Sequence, residues 1–569
     1  MCGIFALLNN TTYQTDTIQN EFMKGQSRGP EFSKLDTIYK NMILGFHRLA
    51  INGLNEFSNQ PLVINDIVLI CNGEIYNFKK LYELMDIEPK TGSDCEAIIH
   101  LYNKYGIEQT LNMLDGVFAF ILYDIKQNKL YAARDPFGVR PLYYIKHINC
   151  KNELYGFSSE LKTLHYFYNN QINCFEINQF TPGTYSEFEL TTEKTPIYDV
   201  RDYSNQPTTF TYWKYIKENT PYFIPTFSHS HLVNDVYSHI SCYLVSAVNK
   251  RCLTTERPIA CLLSGGLDSS LIAALVNNFY NVNNIPNKLE TYSIGLEGSE
   301  DLKYARIAAD YLKTNHTEIV VTEQEMFDAI PEVIIAIESY DTTTVRASIG
   351  NYLLGKYIRK HSNAKVIFNG DGSDELLGGY LYMNKCYDDI EFDKETRRLL
   401  KDIHLFDVLR SDKSISSNGL EPRTPFLDKN FANFVLSIPS TFRNHKNHKN
   451  TIEKFILRNS FSSENFTDFN GNPLLPFEIL WRKKEAFSDG VSSHGRSLYQ
   501  ILQHLITLKV NADTNTDDYY PSIETEKMYY KEIFDKAYPK CSHILPYFWM
   551  PKYTDATDPS ARTLNFYSF

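Results

Sequence analysis

The chain has 569 residues, more than one hydrophobic core organises, which sets the expectation at about two to four domains. Hydrophobic residues make up 43% and charged residues 22%, proportions of a folded globular protein rather than a disordered or fibrous one. With 57 basic against 68 acidic side chains the net charge is −11, which argues against nucleic acid as the main partner.

The predicted elements begin with a short apolar run, "GIFALL", too brief for a signal peptide, and no stretch approaches the length of a membrane span. Ten cysteines are scattered without a CxxC pair, so neither a zinc site nor a redox motif is indicated, and a reducing, cytoplasmic setting is expected. "DIVLIC" (66–71), "VFAFILYD" (117–124) and "KLYAAR" (129–134) read as strands, with helical patterns near 77–85 and 94–105. Residues 1–195 are therefore expected to form an α+β domain. The prolines and weak periodicity of 196–228 predict a linker, and 229–569 a second domain. That domain opens with an amphipathic stretch, "HLVNDVYSHISCYLVSAVNK", and a buried strand, "PIACLL". Strand-like and helix-like segments then alternate through "LETYSIGL", "DLKYARIAADYL", "HTEIVV", "QEMFDAIPEVIIAIE", "NYLLGKYIRKH" and "AKVIFN". This predicts an α/β parallel sheet with helices on both faces. From about 380 the pattern is mostly helical, with loops expected around 411–428 and 486–496.

A cysteine directly after the start methionine raises a chemical possibility. Once Met1 is removed, Cys2 carries a thiol and a free α-amine, and such an amine titrates near neutral pH, at about 7.7–8.0. One residue then supplies both nucleophile and base. Asn72 and Gly73 of "NGE" follow the strand 66–71, where an amide and a backbone N–H could face an oxyanion. Arg48 of "HRLAI" offers a planar fork for a carboxylate, and Asp94 of "TGSDCE" offers a charge for an ammonium group. Taken singly, "NG" is equally a turn and Asp94 equally a helix N-cap.

"MCGI", "RGP" (28–30), "HRLAI", "NGEIYN", "TGSDCE" and "RDPFGVRPLYY" in this order resemble a class II glutamine amidotransferase domain. The resemblance implies an N-terminal-nucleophile (αββα) fold that hydrolyses glutamine to glutamate and ammonia. Cys2 is then the nucleophile, Asn72 and Gly73 the oxyanion hole, and Arg48, Glu74 and Asp94 the holders of glutamine's α-carboxylate and α-amine. Where that family often has "HRGPD" this chain has "SRGPE", a departure at Ser27 and Glu31.

A second site lies in "IACLLSGGLDSSLIAALV", an apolar strand, a Ser-Gly-Gly loop and a helix in succession. Gly265 and Gly266 let backbone N–H groups approach phosphate oxygens at a helix start. Ser264, Ser269 and Ser270 add hydroxyls, and Asp268 could hold Mg²⁺. "SGGLDSS" resembles the loop of ATP pyrophosphatases, which cleave ATP to AMP and pyrophosphate. In "AKVIFNGDGSDELLGGY", Asp371, Asp374 and Glu375 crowd a glycine-rich loop at a strand end, where repulsion calls for a cation or a proton.

"GSEDL" (298–302), "ESYDTTTVRAS" (338–348), "GGYLY" (378–382), "EPRTPFLD" (421–428) and "WRKKEAFSDG" (481–490) extend the likeness. In order, these resemble glutamine-hydrolysing asparagine synthetases, the bacterial and plant type in particular, with the match failing mainly in the last eighty or so residues. The resemblance implies that ATP activates the β-carboxylate of aspartate as an acyl-adenylate, which ammonia then attacks. Leu262 and Ile294 would contact the adenosine, with Asn369 and Gly370 on the nucleotide side. Asp268 and Asp374 would hold Mg²⁺, and Thr343, Thr344, Arg346 and Lys484 would surround the phosphates. The family usually reads "SGEGSDE" where this chain reads "NGDGSDE", so Asp371 replaces a glutamate thought important for adenylation and Asn369 a serine. The partners implied are glutamine, aspartate and ATP, with no nucleic acid and no membrane; a homodimer is compatible with them. Amidotransferases with another ammonia acceptor fit less well because of "SGGLDSS". β-Lactam synthetase fits less well because it typically lacks the N-terminal cysteine. A silent scaffold would need neither site.

Overall fold

The computed structural model describes residues 1–39, 42–147, 154–169, 174–193, 210–223, 236–448, 452–493 and 495–565. Contacts divide the chain into two units, Met1–Ile224 and Pro225–Phe569.

In the first unit, apolar runs that alternate between two buried faces build two antiparallel six-stranded sheets. The first contains β1 (Gly3–Leu8), β2 (Phe32–Tyr39), β3 (Met42–Arg48), β8 (Tyr143–His147), β9 (Tyr155–Ser158) and β10 (Phe175–Gln179), in the order β10-β8-β9-β1-β3-β2. The second contains β4 (Leu62–Ile64), β5 (Ile67–Ile75), β6 (Gly116–Asp124), β7 (Lys129–Arg134), β11 (Thr184–Glu193) and β12 (Phe210–Pro221), in the order β12-β11-β7-β6-β5-β4. Their facing sides share one core: Ile4 and Ala6 of β1 and Leu44 of β3 meet Val68 and Ile70 of β5 and Ile121 of β6. Because side chains alternate along a strand, Leu69, Phe120 and Leu122 point the other way. They pack against α2 (Phe78–Met85) and α3 (Glu96–Met113) in a second core. On the outer side of the first sheet lie α1 (Thr15–Met23) and α4 (Leu161–Asn169), with Phe5 against Phe22 and Phe167. The layering is helix, sheet, sheet, helix, the αββα arrangement.

Two expectations need correction here. "NGE" does not follow a strand or form a turn: β5 runs through it, with Asn72 opposite Ala119 and Gly73 opposite Phe118 on β6. Nor is 196–228 wholly a linker, because β12 lies within it and pairs antiparallel with β11. Residues 196–209 and 224–228 lie outside the described residues.

The second unit is built on a five-stranded parallel sheet. Its strands are β13 (Ile259–Leu262), β14 (Glu290–Leu296), β15 (Asn315–Val321), β16 (Val366–Phe368) and β17 (Glu421–Arg423). Its helices up to the last strand are α5 (Val236–Leu253), α6 (Leu267–Val282), α7 (Glu300–Leu312), α8 (Glu323–Asp328), α9 (Ile330–Ile337) and α10 (Thr342–His361), then α11 (Ser373–Leu377), α12 (Asp389–Asp402) and α13 (Asp407–Ser416), and further helices follow it. Leu354 and Ile358 of α10 and Ile415 of α13 cover one face of the sheet. On the other face, α6 packs on β13 and α7 on β14. The amphipathic stretch expected over 231–250 is helical from Val236; its first five residues lie outside the described residues.

The strand order β15-β14-β13-β16-β17 starts in the middle, moves to one edge, then returns to the other side of β13. That reversal opens a crevice between the carboxyl ends of β13 and β16. "SGGLDSS" leaves one strand and "NGDGSDE" the other. The loop expected at 411–428 is largely regular structure: α13 ends at Ser416, and β17 extends the sheet beyond β16 because its backbone groups pair with that strand. A short helix, Phe487–Gly490, interrupts the loop expected at 486–496.

Candidate active sites

Cys2 immediately precedes β1, beside the end of β3: its Sγ lies 3.6 Å from the Leu49 carbonyl and its own carbonyl accepts from Arg28 Nε at 3.0 Å. Met1 is buried. Asn72 is fully buried on the neighbouring sheet, and its Nδ2 lies 3.3 Å from Ser159 Oγ. The same hydroxyl accepts the Ile4 N–H at 3.1 Å, so Ser159 ties the Asn72 strand to the start of β1. Asp94 accepts the Ile75 N–H at 2.6 Å, and Glu74 accepts from Asn52 Nδ2 at 2.8 Å. Cys95, beside Asp94, is buried with Sγ 3.8 Å from the Gly73 carbonyl. A hydrogen bond to Cys71 and burial push its thiol well above the usual range, which makes it a poor nucleophile.

Arg48 departs from its expected task. Its Nη1 donates to Asn55 O at 2.9 Å and Asn59 Oδ1 at 2.7 Å, and its Nη2 donates to the carbonyls of Asn52 and Gly53. The fork braces the 52–59 loop, so binding a carboxylate requires it to give up some of these partners. The unusual Glu31 has a local task too, accepting the Ala50 N–H at 2.7 Å.

In the second unit the crevice at the strand reversal is lined by Leu262, Ser264, Gly266, Asp268, Ser269 and Ile294 from the first loop and its neighbour. Asn369, Gly370, Asp371 and Asp374 line it from the second loop, with Thr343 and Lys484. The two loops touch closely. A Cβ on Gly370 would sit 2.7 Å from Asp268 Cβ and 2.8 Å from the Ser269 nitrogen, so only glycine allows the approach. Gly265 has φ +71° and rests against the Tyr304 backbone, which sets the turn without facing the crevice. Ser270 is fully buried in α6 and also lies away from the cavity lining.

The crevice holds groups that no motif signalled. Lys454 Nζ sits 2.5 Å from Asp268 Oδ2 and 2.6 Å from Asp374 Oδ1, and Lys484 Nζ sits 2.7 Å from Asp374 Oδ2. Burial works against the charge on Asp374, but the two lysines outweigh it and hold that carboxyl below the usual range. Burial likewise opposes the charge on Lys484, and Asp374 and Asp268 raise its pKa above the ordinary value. Asp371 is gripped by Arg410 at 2.9 Å, while its Oδ2 is buried without a hydrogen-bond partner among the described residues. Glu375 is buried close to Asp407, and desolvation followed by that neighbouring charge pushes its carboxyl well up.

Two expected phosphate ligands point elsewhere. Thr344 lies in the first turn of α10, which Asp341 caps, and its N and Oγ1 both donate to Asp341 Oδ2, at 2.9 and 2.8 Å. Arg346 is buried in a double fork, with Nε and Nη2 on Glu526 and Nη1 and Nη2 on Asp558. It joins α10 to the C-terminal part of the chain instead of surrounding phosphates. That part packs on α10, with Trp549 N donating to Asp341 at 2.8 Å, and among the described residues none beyond Ser488 lines the crevice.

Residues 1–213 match the family model described as a glutamine amidotransferase domain, and residues 240–391 and 387–558 match the model described as asparagine synthase. This defines a two-part protein, an amidotransferase domain followed by a synthase domain. The asparagine synthetase [glutamine-hydrolyzing] of Gallus gallus is 41% identical over 581 residues, covering 100% of this chain and 99% of that protein. The proteins of the same name from Bos taurus and Homo sapiens are 40% and 39% identical, with the same coverage. The chain belongs to the glutamine-hydrolysing asparagine synthetase family. The likeness does not stop short of the C-terminus, as the motifs led one to expect, and these three relatives are vertebrate rather than bacterial or plant proteins.

Proposed function

We propose that this chain makes asparagine from aspartate, ATP and glutamine, the first unit releasing ammonia from glutamine and the second forming the amide. The crevice at the strand reversal carries the reading: two phosphate loops converge there on Asp268, Asp374, Lys454 and Lys484. Family membership supports both halves.

At the thiol site, with Met1 removed, the α-amine of Cys2 takes the thiol proton and Sγ attacks the side-chain carbonyl of glutamine. Negative charge then develops on the carbonyl oxygen, where the Asn72 amide and the Gly73 N–H act as donors. On collapse the α-amine gives that proton to the leaving nitrogen, which departs as ammonia, and water releases glutamate from the thioester. Glu74 and Asp94 hold the α-amine.

At the crevice, the β-carboxylate of aspartate attacks the α-phosphorus of ATP and pyrophosphate leaves. The acyl group, now on AMP rather than on a poor oxide leaving group, accepts ammonia and yields asparagine and AMP. Leu262 and Ile294 flank the adenosine, Asn369 and Gly370 lie on the nucleotide side, and Ser264, Ser269 and Thr343 meet the phosphates. Lys454 and Lys484 neutralise charge as pyrophosphate departs. Ammonia free in water becomes mostly ammonium, which is no nucleophile, so a shielded transfer between the reactions belongs to the proposal.

Mg²⁺ fits the residues present. Asp268 Oδ2 and Asp374 Oδ1 are hard donors already turned toward one cation, the Lys454 ammonium. No group of three His, Cys, Asp or Glu among the described residues forms a closed cage. A pair of carboxylates suits an ion that keeps waters and shares phosphate oxygens. When bound, Mg²⁺ would neutralise charge on the phosphates. We also place the enzyme in the cytoplasm, in keeping with free thiols at every described cysteine. Among the described residues no helix is long and apolar enough to cross a membrane.

Exchange of labelled pyrophosphate into ATP tests the second half. The expected exchange requires aspartate, and exchange that ignored aspartate or needed a different acid would overturn the assignment.

A further inference from the structure

We infer that Ser159 is a positioning residue of the thiol site, its hydroxyl setting the Asn72 amide with the N–H end toward the reacting carbonyl. The inference rests on the proposed glutamine hydrolysis at Cys2.

The segment Ser158-Ser159-Glu160 closes around the first residues of β1. Ser158 Oγ donates to the Ile4 carbonyl at 3.1 Å, and the Ser159 N–H donates to the same carbonyl at 3.1 Å. Ser159 Oγ accepts the Ile4 N–H at 3.1 Å. Glu160 pairs with Arg28 at 2.8 Å, and Arg28 in turn donates to the Cys2 carbonyl at 3.0 Å. Ser159 and Glu160 are buried, so this clasp holds the nucleophile's backbone by groups shielded from water.

From the clasp, Ser159 also reaches the second sheet. Its Oγ lies 3.3 Å from the Asn72 amide, whose other end, Oδ1, is buried without a partner among the described residues. A buried acceptor without a donor is costly, and an amide has two interchangeable ends. A half-turn of the Asn72 amide places Oδ1 against Ser159, where the hydroxyl can donate to it. The same turn carries both Nδ2 protons to the side that Oδ1 had occupied. An oxygen that gains negative charge there meets donors rather than a repelling lone pair. The Ile4 N–H occupies a lone pair of Ser159 Oγ and so favours the orientation in which the hydroxyl proton points away, toward Asn72. Residues two places from Cys2 thereby orient the group that stabilises the product of its attack.

The test compares Ser159→Ala, Asn72→Ala and the double variant. In Ser159→Ala the expected kcat for glutamine falls about 100-fold, the loss typical of one oxyanion donor, while KM stays within threefold. Alkylation of Cys2 by iodoacetamide, which forms no oxyanion, keeps its rate, and asparagine synthesis from added ammonium is unchanged. In the Asn72→Ala background, Ser159→Ala costs less than threefold more, because the two act as one unit. Unaltered kcat in Ser159→Ala, or full additivity with Asn72→Ala, overturns the positioning role. So does a parallel loss of alkylation, which would mean a clasp that only shapes the nucleophile. A wild-type protein that hydrolysed no glutamine would instead overturn the reading on which the inference rests.

Discussion

Arg410 Nη2 donates to Asp371 Oδ1 at 2.9 Å and to Asp407 Oδ1 at 2.7 Å, and among the described residues the other oxygen, Asp371 Oδ2, is buried without a hydrogen-bond partner. Asp371 is shorter by one methylene than the glutamate expected at this place, and the Arg410 contact fixes how that shorter reach is used. Asp371→Asn is expected to cut aspartate-dependent pyrophosphate exchange by at least 100-fold while glutamine hydrolysis continues, since small misplacements at a reacting centre carry large factors. Asp371→Glu is expected to keep or raise exchange. Both are read from the exchange rate, and asparagine formation by Asp371→Asn at the wild-type rate would remove Asp371 from the chemistry.

Lys454 stands between Asp268 and Asp374 with its side chain shut off from solvent. Lys454→Met leaves two carboxylates facing each other without their shared cation. The expected outcome is loss of pyrophosphate exchange by more than 100-fold, with glutamine hydrolysis intact. Exchange within a factor of three of wild type would show that Lys484 suffices.

Arg346 is expected to behave as a structural anchor. Removing one partner of a buried ion pair leaves the others uncompensated, so Arg346→Met should destabilise the second unit by about 3–5 kcal/mol. Thermal unfolding reads this directly. Glu526→Gln and Asp558→Asn should lower the melting temperature in the same direction. A normal melting temperature with a raised KM for ATP would return Arg346 to the phosphates.

These cases show what a sequence displays and what it conceals. "SGGLDSS" and "NGDGSDE" were legible because strand, glycine-rich loop and helix follow one another locally. The parallel sheet was legible from the alternation that surrounds them. β17 escaped because three residues that include a proline carry no period of their own; β16 is what makes them a strand. β12 was hidden by the prolines around it. Arg346 sits beside Thr343 and Thr344 in "DTTTVRAS" and so looked like their companion, but its partners lie 180 and 212 residues away. Lys454 is 186 residues from Asp268 and carries no motif. Ser159 fell outside every quoted motif for the same reason: its role comes from folding β9 against β1.

His47 gives a pH prediction. Its ring stacks on Phe22 at 3.9 Å and its two nitrogens meet Phe22 O and Ser33 Oγ, at 2.9 and 2.7 Å. Burial pushes its pKa down from 6.5 to about 4. The unfolded chain therefore takes up the proton first. The stabilising effect is whole above pH 6.5 and is lost as pH falls from there to about 4, a swing of about 3 kcal/mol. His47→Gln should be less stable at pH 7, yet lose less stability than wild type between pH 7 and pH 4.5. Equal losses in thermal unfolding at the two pH values would contradict a neutral buried His47.

The division of labour between Cys2 and the crevice is tested most directly by one variant and two nitrogen sources. Asparagine formed by Cys2→Ala is measured first with glutamine, then with ammonium, at equal aspartate and ATP. The expected result is no detectable asparagine from glutamine and a near wild-type rate from ammonium, because the nucleophile and the adenylating site belong to different units. Asparagine from glutamine in Cys2→Ala, or loss of both activities in a variant that still unfolds like wild type, would contradict it.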